Sequence, residues 1–205
     1  MLFIFCCGMK RSGSTLHYNL VSDIVEASLK GSRLGYVKTW QDFEVIAKEN
    51  YNSNDSLGII KSHEYFDQMR ELESSQKAYF IYIHRDIRDV AVSLLNKRQL
   101  KSQTITFQSI QNSIKKALKL HYQFQNNIKN LYSISYEQVI PNLEGEVYRL
   151  ADFLGIKIDK KLAKQISANR SLENQKEILK TTKVYNDPNK IENYDPETLL
   201  HPSHI

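Results

Sequence analysis

The chain opens with an apolar run, Leu2-Phe3-Ile4-Phe5-Cys6, that runs into Cys7-Gly8-Met9-Lys10-Arg11-Ser12-Gly13-Ser14-Thr15. Leu16, Leu20, Ile24, Val25 and Leu29 then recur at helical spacing. A buried strand, a glycine-bracketed loop and a helix, in that order, leave few folds open. Gly8 and Gly13 enclose four residues. That is the spacing of a Walker A loop, in which backbone N–H groups turn inward onto an anion at a helix N-terminus. The Walker lysine is missing: the loop continues Gly13-Ser14-Thr15, and its positive charge stands upstream at Lys10 and Arg11.

The rest of the chain repeats the alternation. Residues 2–7 read as a strand and Ser14 to about Leu29 as a helix, followed by a turn over Gly31–Gly35. Tyr36–Trp40 reads as a short strand, Gln41–Glu49 as a helix and Asn50–Ser56 as a polar surface loop. Leu57-Gly58-Ile59-Ile60 is a second buried strand, ending on Lys61-Ser62-His63, with a helix expected over Phe66–Leu72. Ala78–Ile83 is the strongest strand signal and ends on His84-Arg85-Asp86. Helical spacing returns over Ile87–Leu95; Gln99–Thr106 reads as an exposed connection, with a lid or a substrate loop as the alternative. A long amphipathic helix follows over Ile110–Ile128, then a strand over Leu131–Tyr136, a helix over Leu143–Leu154 stopped by Gly155, and further helical packing over Leu162–Ala168. Beyond Arg170 the periodicity fades.

Strands alternating with helices predict an α/β fold, a mainly parallel central sheet flanked by helices in three layers. In such a sheet, ligands collect at the carboxyl ends of the strands. Arg11, Lys61 with His63, Arg85 and Tyr136 each stand at one of those ends.

The chain has 205 residues and 41% hydrophobic content, enough for one domain spanning residues 1–205, with 171–205 a less regular C-terminal segment. The first apolar run is too short for a signal peptide and no later one reaches membrane-spanning length. Cys6 and Cys7 are adjacent, so on a strand they point to opposite faces and no intrachain structural disulfide is expected. A reducing, cytoplasmic setting is the expectation. The net charge of +5 suits an anionic ligand, although a modest basic excess is usually just a solvated surface.

A loop without the Walker lysine, and without an evident magnesium-holding carboxylate at a strand end, is poorly equipped for γ-phosphoryl transfer. His63 lies two residues after Lys61 on an extended segment, so both face the same side. An imidazole with an ordinary pKa of about 6.5 can take a proton from an alcohol, and a neighbouring ammonium helps to keep it neutral. Arg85 at a strand end and Ser93 two turns into the following helix can both approach a phosphate.

These motifs together resemble those of sulfotransferases that use 3′-phosphoadenosine 5′-phosphosulfate (PAPS). Lys10-Arg11-Ser12-Gly13-Ser14-Thr15-Leu16 is similar to that family's 5′-phosphosulfate loop. His84-Arg85-Asp86-Ile87-Arg88-Asp89-Val90-Ala91-Val92-Ser93 is similar to its 3′-phosphate segment at the full spacing, with Ile87 in place of a proline. Lys61-Ser62-His63 resembles its Lys-Thr-His element, Ser135-Tyr136-Glu137 its Tyr-Glu-Asp element, and Phe153-Leu154-Gly155 a frequent helix end. The family's Arg-Lys-Gly phosphate loop has no counterpart up to Ile205; His201–Ile205 is similar to the approach to it, which implies a truncated or abbreviated member.

The resemblance implies a P-loop nucleotide-hydrolase-like fold, PAPS as co-substrate and no metal. Arg11, Ser12, Gly13, Ser14 and Thr15 would hold the 5′-phosphosulfate, Arg85 and Ser93 the 3′-phosphate, and Tyr136 the adenine or ribose. His63 would be the base for a hydroxyl-bearing acceptor of unspecified class, with Lys61 and Arg11 stabilising charge on the bridging oxygen. Two alternatives stay open. One is a P-loop nucleotide or small-molecule kinase, marked by magnesium dependence. The other is a non-catalytic protein holding an adenosine bisphosphate or RNA, although no nucleic-acid-binding motif is present and no nucleic-acid partner is expected.

Overall fold

The structure is a computed structural model, and it describes residues 1–28, 31–50, 56–100, 106–181, 195 and 197–200. In chain order, β1 (Leu2–Gly8), α1 (Ser14–Ser28), β2 (Gly31–Val37), α2 (Trp40–Glu49), β3 (Leu57–Ser62), α3 (Met69–Ser74) and β4 (Ala78–His84) make the first half. The second half comprises α4 (Ile87–Leu100), α5 (Phe107–Asn127), β5 (Leu131–Ser135), α6 (Tyr136–Val139), α7 (Leu143–Phe153), α8 (Lys160–Asn169) and α9 (Leu172–Thr181).

The strands form one sheet in the order β2-β3-β1-β4-β5. Every neighbouring pair is parallel. Parallel pairing needs crossovers, and the helices that supply them cover both faces of the sheet, which is why the inner strands read as unbroken apolar runs. β1 shows the division residue by residue. Ile4 and Cys6 join α1, α7 and α8 in one apolar cluster, whereas Phe3, Phe5 and Cys7 join α2, α3 and α5 in the other. The two cysteines are thus buried free thiols on opposite faces, as their adjacency on a strand requires.

Several boundaries differ from the sequence expectation. The turn expected over Gly31–Gly35 is instead the body of β2. Pairing with β3 from Gly31 opposite Leu57 to Val37 opposite Ser62 gives these residues ladder partners, and a register shift between Arg33 and Gly35 absorbs the positive φ of Gly35. Trp40, expected in a strand, opens α2 behind a Thr39–Asp42 capping box. The helix expected from Phe66 begins at Met69. Tyr136, expected to end a strand, is the first residue of α6. Leu172–Thr181 is helical despite the fading periodicity. Gln99 and Leu100 belong to α4, while 101–105, like 51–55 and 201–205, lie outside the described residues.

Because β3 and β4 flank β1, the chain runs outward to one side of β1 and then to the other, and the strand order reverses there. The crevice at the carboxyl end of such a reversal is where α/β sheets bind ligands. The Gly8–Gly13 loop sits at that point.

Candidate functional site

The loop is shaped by its own backbone. Met9 N–H donates to the Ile83 carbonyl at 3.2 Å, and Ser12 N–H donates back to the Met9 carbonyl at 3.2 Å. The Ser12 hydroxyl, fully buried, is shared between the Met9 and Ile83 carbonyls at 2.7 and 3.0 Å. The Ser12 N–H thus closes the loop on itself and its hydroxyl ties the loop to β4, so neither faces the loop's mouth. Arg11 and Gly13 both take left-handed backbone conformations, with φ of 72° and 80°. Gly13 also has no room for a side chain: a Cβ there would stand 2.6 Å from the Tyr136 ring. His17 N–H makes a helical bond to the Gly13 carbonyl at 3.0 Å, so the N–H groups ahead of it point out of the N-terminus of α1 into the loop.

Two guanidinium groups meet beside this N-terminus. Arg11 Nε donates to Ser93 Oγ at 2.9 Å, and Arg85 Nη1 reaches the Arg11 carbonyl at 3.4 Å. The Arg85 guanidinium lies over the Tyr136 ring, 4.5 Å from its centre. Its nearest carboxylate, Asp89, is 3.7 Å away, too long for a strong bond, and its Nε is buried with no acceptor. Burial, and then the Arg85 charge, lower the pKa of Arg11. Like charges held together with an unanswered donor form an arrangement that an anion relieves.

The carboxyl end of β3 and the residue after it supply the opposite wall. Lys61 is buried, and its Nζ donates to Thr15 Oγ1 at 2.5 Å. Loss of hydration pulls the Lys61 ammonium down to about 8. His63 Nδ1 donates to the Gly8 carbonyl at 2.8 Å, an assignment fixed because a carbonyl only accepts. In the neutral ring the basic lone pair is therefore at Nε2. The Tyr36 ring meets His63 edge-on at 5.8 Å.

The structure thus brings Arg11, Gly13, Thr15, Lys61, His63, Arg85, Ser93 and Tyr136 to one edge of the sheet, with Ser14 in the first turn of α1 and Ser12 beneath the loop. The Gly8 carbonyl and Tyr36 were not evident in the sequence. A backbone acceptor leaves no signature in a residue pattern, and Tyr36 falls next to His63 only because β2 pairs with β3.

A five-stranded parallel sheet flanked by helices, with a glycine loop and converging cations at its carboxyl edge, defines an α/β protein of the P-loop nucleotide-hydrolase-like fold class. Within that class, the chain belongs to the sulfotransferase domain family, whose model matches residues 3–193. A mouse relative, sulfotransferase 2B1, is 29% identical over 171 residues, 74% of this chain and 49% of the relative, so the chain spans about half of that protein's length. The fold is shared with mouse sulfotransferase SULT7A1 complexed with PAP, at a TM-score of 0.63 and 19% identity over 85% of this chain and 66% of the neighbour. It is shared too with retinol dehydratase in complex with androsterone and inactive cofactor PAP, at a TM-score of 0.59 and 17% identity over 85% and 65% of the two chains.

Proposed function

We propose that this chain transfers the sulfuryl group of PAPS to an acceptor hydroxyl. The observation that carries the reading is the Arg11–Ser93–Arg85 cluster, with a buried guanidinium Nε that has no acceptor. Such a cradle fits a phosphate dianion, and the glycine loop beside it fits a second anionic group. The PAP named in the neighbouring structures supports the same donor.

Bound PAPS supplies a sulfuryl group on a phosphate leaving group. Arg85 and Ser93 hold its 3′-phosphate, and Tyr136, packed on Gly13 and under Arg85, borders the adenosine. The N–H groups at the start of α1, with Ser14 and Thr15, hold the phosphosulfate, while Ser12 keeps the loop closed beneath them. His63, oriented by the Gly8 carbonyl, takes the acceptor's proton at Nε2 as the oxygen attacks sulfur in line. Lys61 and Arg11 neutralise the charge that grows on the departing bridging oxygen, an electrostatic contribution whose removal costs about 10²–10³ in rate. The acceptor is a hydroxyl-bearing molecule, as are the androsterone and retinol named in neighbouring structures. We place the protein in a reducing, cytoplasmic setting, in keeping with two buried free thiols.

Calorimetry with adenosine 3′,5′-bisphosphate against ATP and magnesium tests the reading. The bisphosphate is expected to bind, with a loss of about 100-fold in Arg85→Ala as a buried charge-assisted contact is removed. Tighter binding of magnesium-ATP would favour a kinase instead. Binding of RNA that falls steeply with salt would favour a nucleic-acid protein.

A further inference from the structure

Glu146 is fully buried, and yet it lies outside the site described above. Its carboxylate gathers three donors. His17 Nε2 lies 2.7 Å from Oε1, the Tyr132 hydroxyl bridges both oxygens at 3.1 and 3.0 Å, and Arg149 Nε donates to Oε2 at 2.9 Å. The donors come from α1, β5 and α7, so one carboxylate ties three elements together.

A buried charge of this kind is costly, and an apolar replacement of similar shape is often as stable or more so. Its place in the fold is better explained by what it fixes than by the stability it adds. Two of its partners lead directly to the donor loop. The backbone N–H of His17 makes the first bond of α1, to the Gly13 carbonyl at 3.0 Å, while its side chain holds Glu146. Tyr132 precedes Tyr136 by one short stretch of β5, and the Tyr136 ring lies where a Gly13 side chain would stand. Glu146 therefore grips both the helix that carries the loop and the strand that carries the ring above it.

We propose that Glu146 is a positioning residue that sets donor affinity by fixing, through His17 and Tyr132, the glycine loop against Tyr136. The inference rests on the reading of the loop as a PAPS site. His17 acts through Nε2 alone, since its Nδ1 is buried without a partner. A glutamine places an amide N–H where Nε2 stands and preserves the contact, whereas a leucine leaves the carboxylate one donor short.

The test is calorimetry with adenosine 3′,5′-bisphosphate on His17→Leu, His17→Gln and Tyr132→Phe, each at a temperature where circular dichroism shows it folded. His17→Leu is expected to weaken binding about tenfold and Tyr132→Phe about threefold, with His17→Gln within about twofold of wild type, the scale of losing or keeping a hydrogen bond to a charged group. A purely structural contact would lower the melting temperature without moving the dissociation constant of folded protein. Wild-type affinity in folded His17→Leu overturns the inference. If His17→Leu does not fold, wild-type affinity in Tyr132→Phe does so. A wild-type chain that ignores the bisphosphate, or an Arg85→Ala variant that binds it normally, overturns the donor reading and this inference with it.

Discussion

Arg11 carries two demands that conflict. Its side chain bridges to Ser93, but its backbone is left-handed, a conformation that costs a non-glycine residue about 1 kcal/mol. Arg11→Gly should therefore raise the melting free energy by up to about 1 kcal/mol while weakening bisphosphate binding at least tenfold, by removal of a charged donor. Denaturant melts and titrations on the same variant check both halves; a variant destabilised as well as weakened would refute the strain argument. Lys61 makes a second prediction, with a defined sign. Burial holds the unliganded ammonium at about 8, and a bound anion raises that value, so binding takes up a proton once the pH passes 8. Bisphosphate affinity should be nearly flat between about pH 7, above the second ionisation of the phosphates near 6, and pH 8, and fall by up to about tenfold per pH unit above that. In Lys61→Met the whole curve should lie lower and lose that bend; an unchanged bend would assign it to another group. For stability the sign reverses. The unfolded chain binds more protons than the folded one between about 8 and the ordinary lysine value of about 10.5, so Lys61's contribution to folding improves as pH rises through that window.

The elements differ in how plainly the sequence announces them, and the reason is burial. β1, β3 and β4 lie in the middle of the sheet with helices on both faces, so their apolar runs are unbroken and their ends are sharp. β2 is an edge strand, Gly-Ser-Arg-Leu-Gly-Tyr-Val, whose glycines suggest a turn until β3 supplies its ladder. Among the described residues of α9 the one buried side chain is polar, Gln175, and Leu172 and Leu179 are only half-buried, so its inward face gives a weak apolar stripe to read. The site follows the same logic. Arg11, Lys61, His63 and Arg85 each follow a legible strand, and a parallel sheet brings such ends together without further information. Glu146 and His17 sit among apolar residues of α7 and α1, where helical spacing places them on an inward face but does not say that they meet. Their pairing depends on how α1 and α7 cross the same side of the sheet, which no local pattern encodes. Ser12 illustrates the converse. The motif places it with the anion-holding residues, while the fold commits its hydroxyl to β4.

At the scale of the molecule, the candidate donor site is not carried by any single element. Its groups come from the loops and ends after β1, β3, β4 and β5 and from α4, so a ligand held there bridges the centre of the sheet to its β5 edge. A ligand that binds only this assembled state adds its binding free energy to the stability of the fold, about 2.7 kcal/mol at a concentration 100 times the dissociation constant. For a chain of this size, 1 kcal/mol moves the melting temperature by about 2–4 °C, so adenosine 3′,5′-bisphosphate should raise it by about 5–10 °C. The charges that answer the two phosphates in this reading are protein cations and backbone N–H groups, so excess chelator should leave the shift intact. Arg85→Ala should abolish most of it at the same ligand concentration, because it removes the guanidinium stacked on Tyr136 that links the β4 end to the β5 end. A shift that vanished with chelator would mean that a metal ion is part of the bound complex. A shift that persisted in Arg85→Ala would place the bisphosphate elsewhere on the molecule.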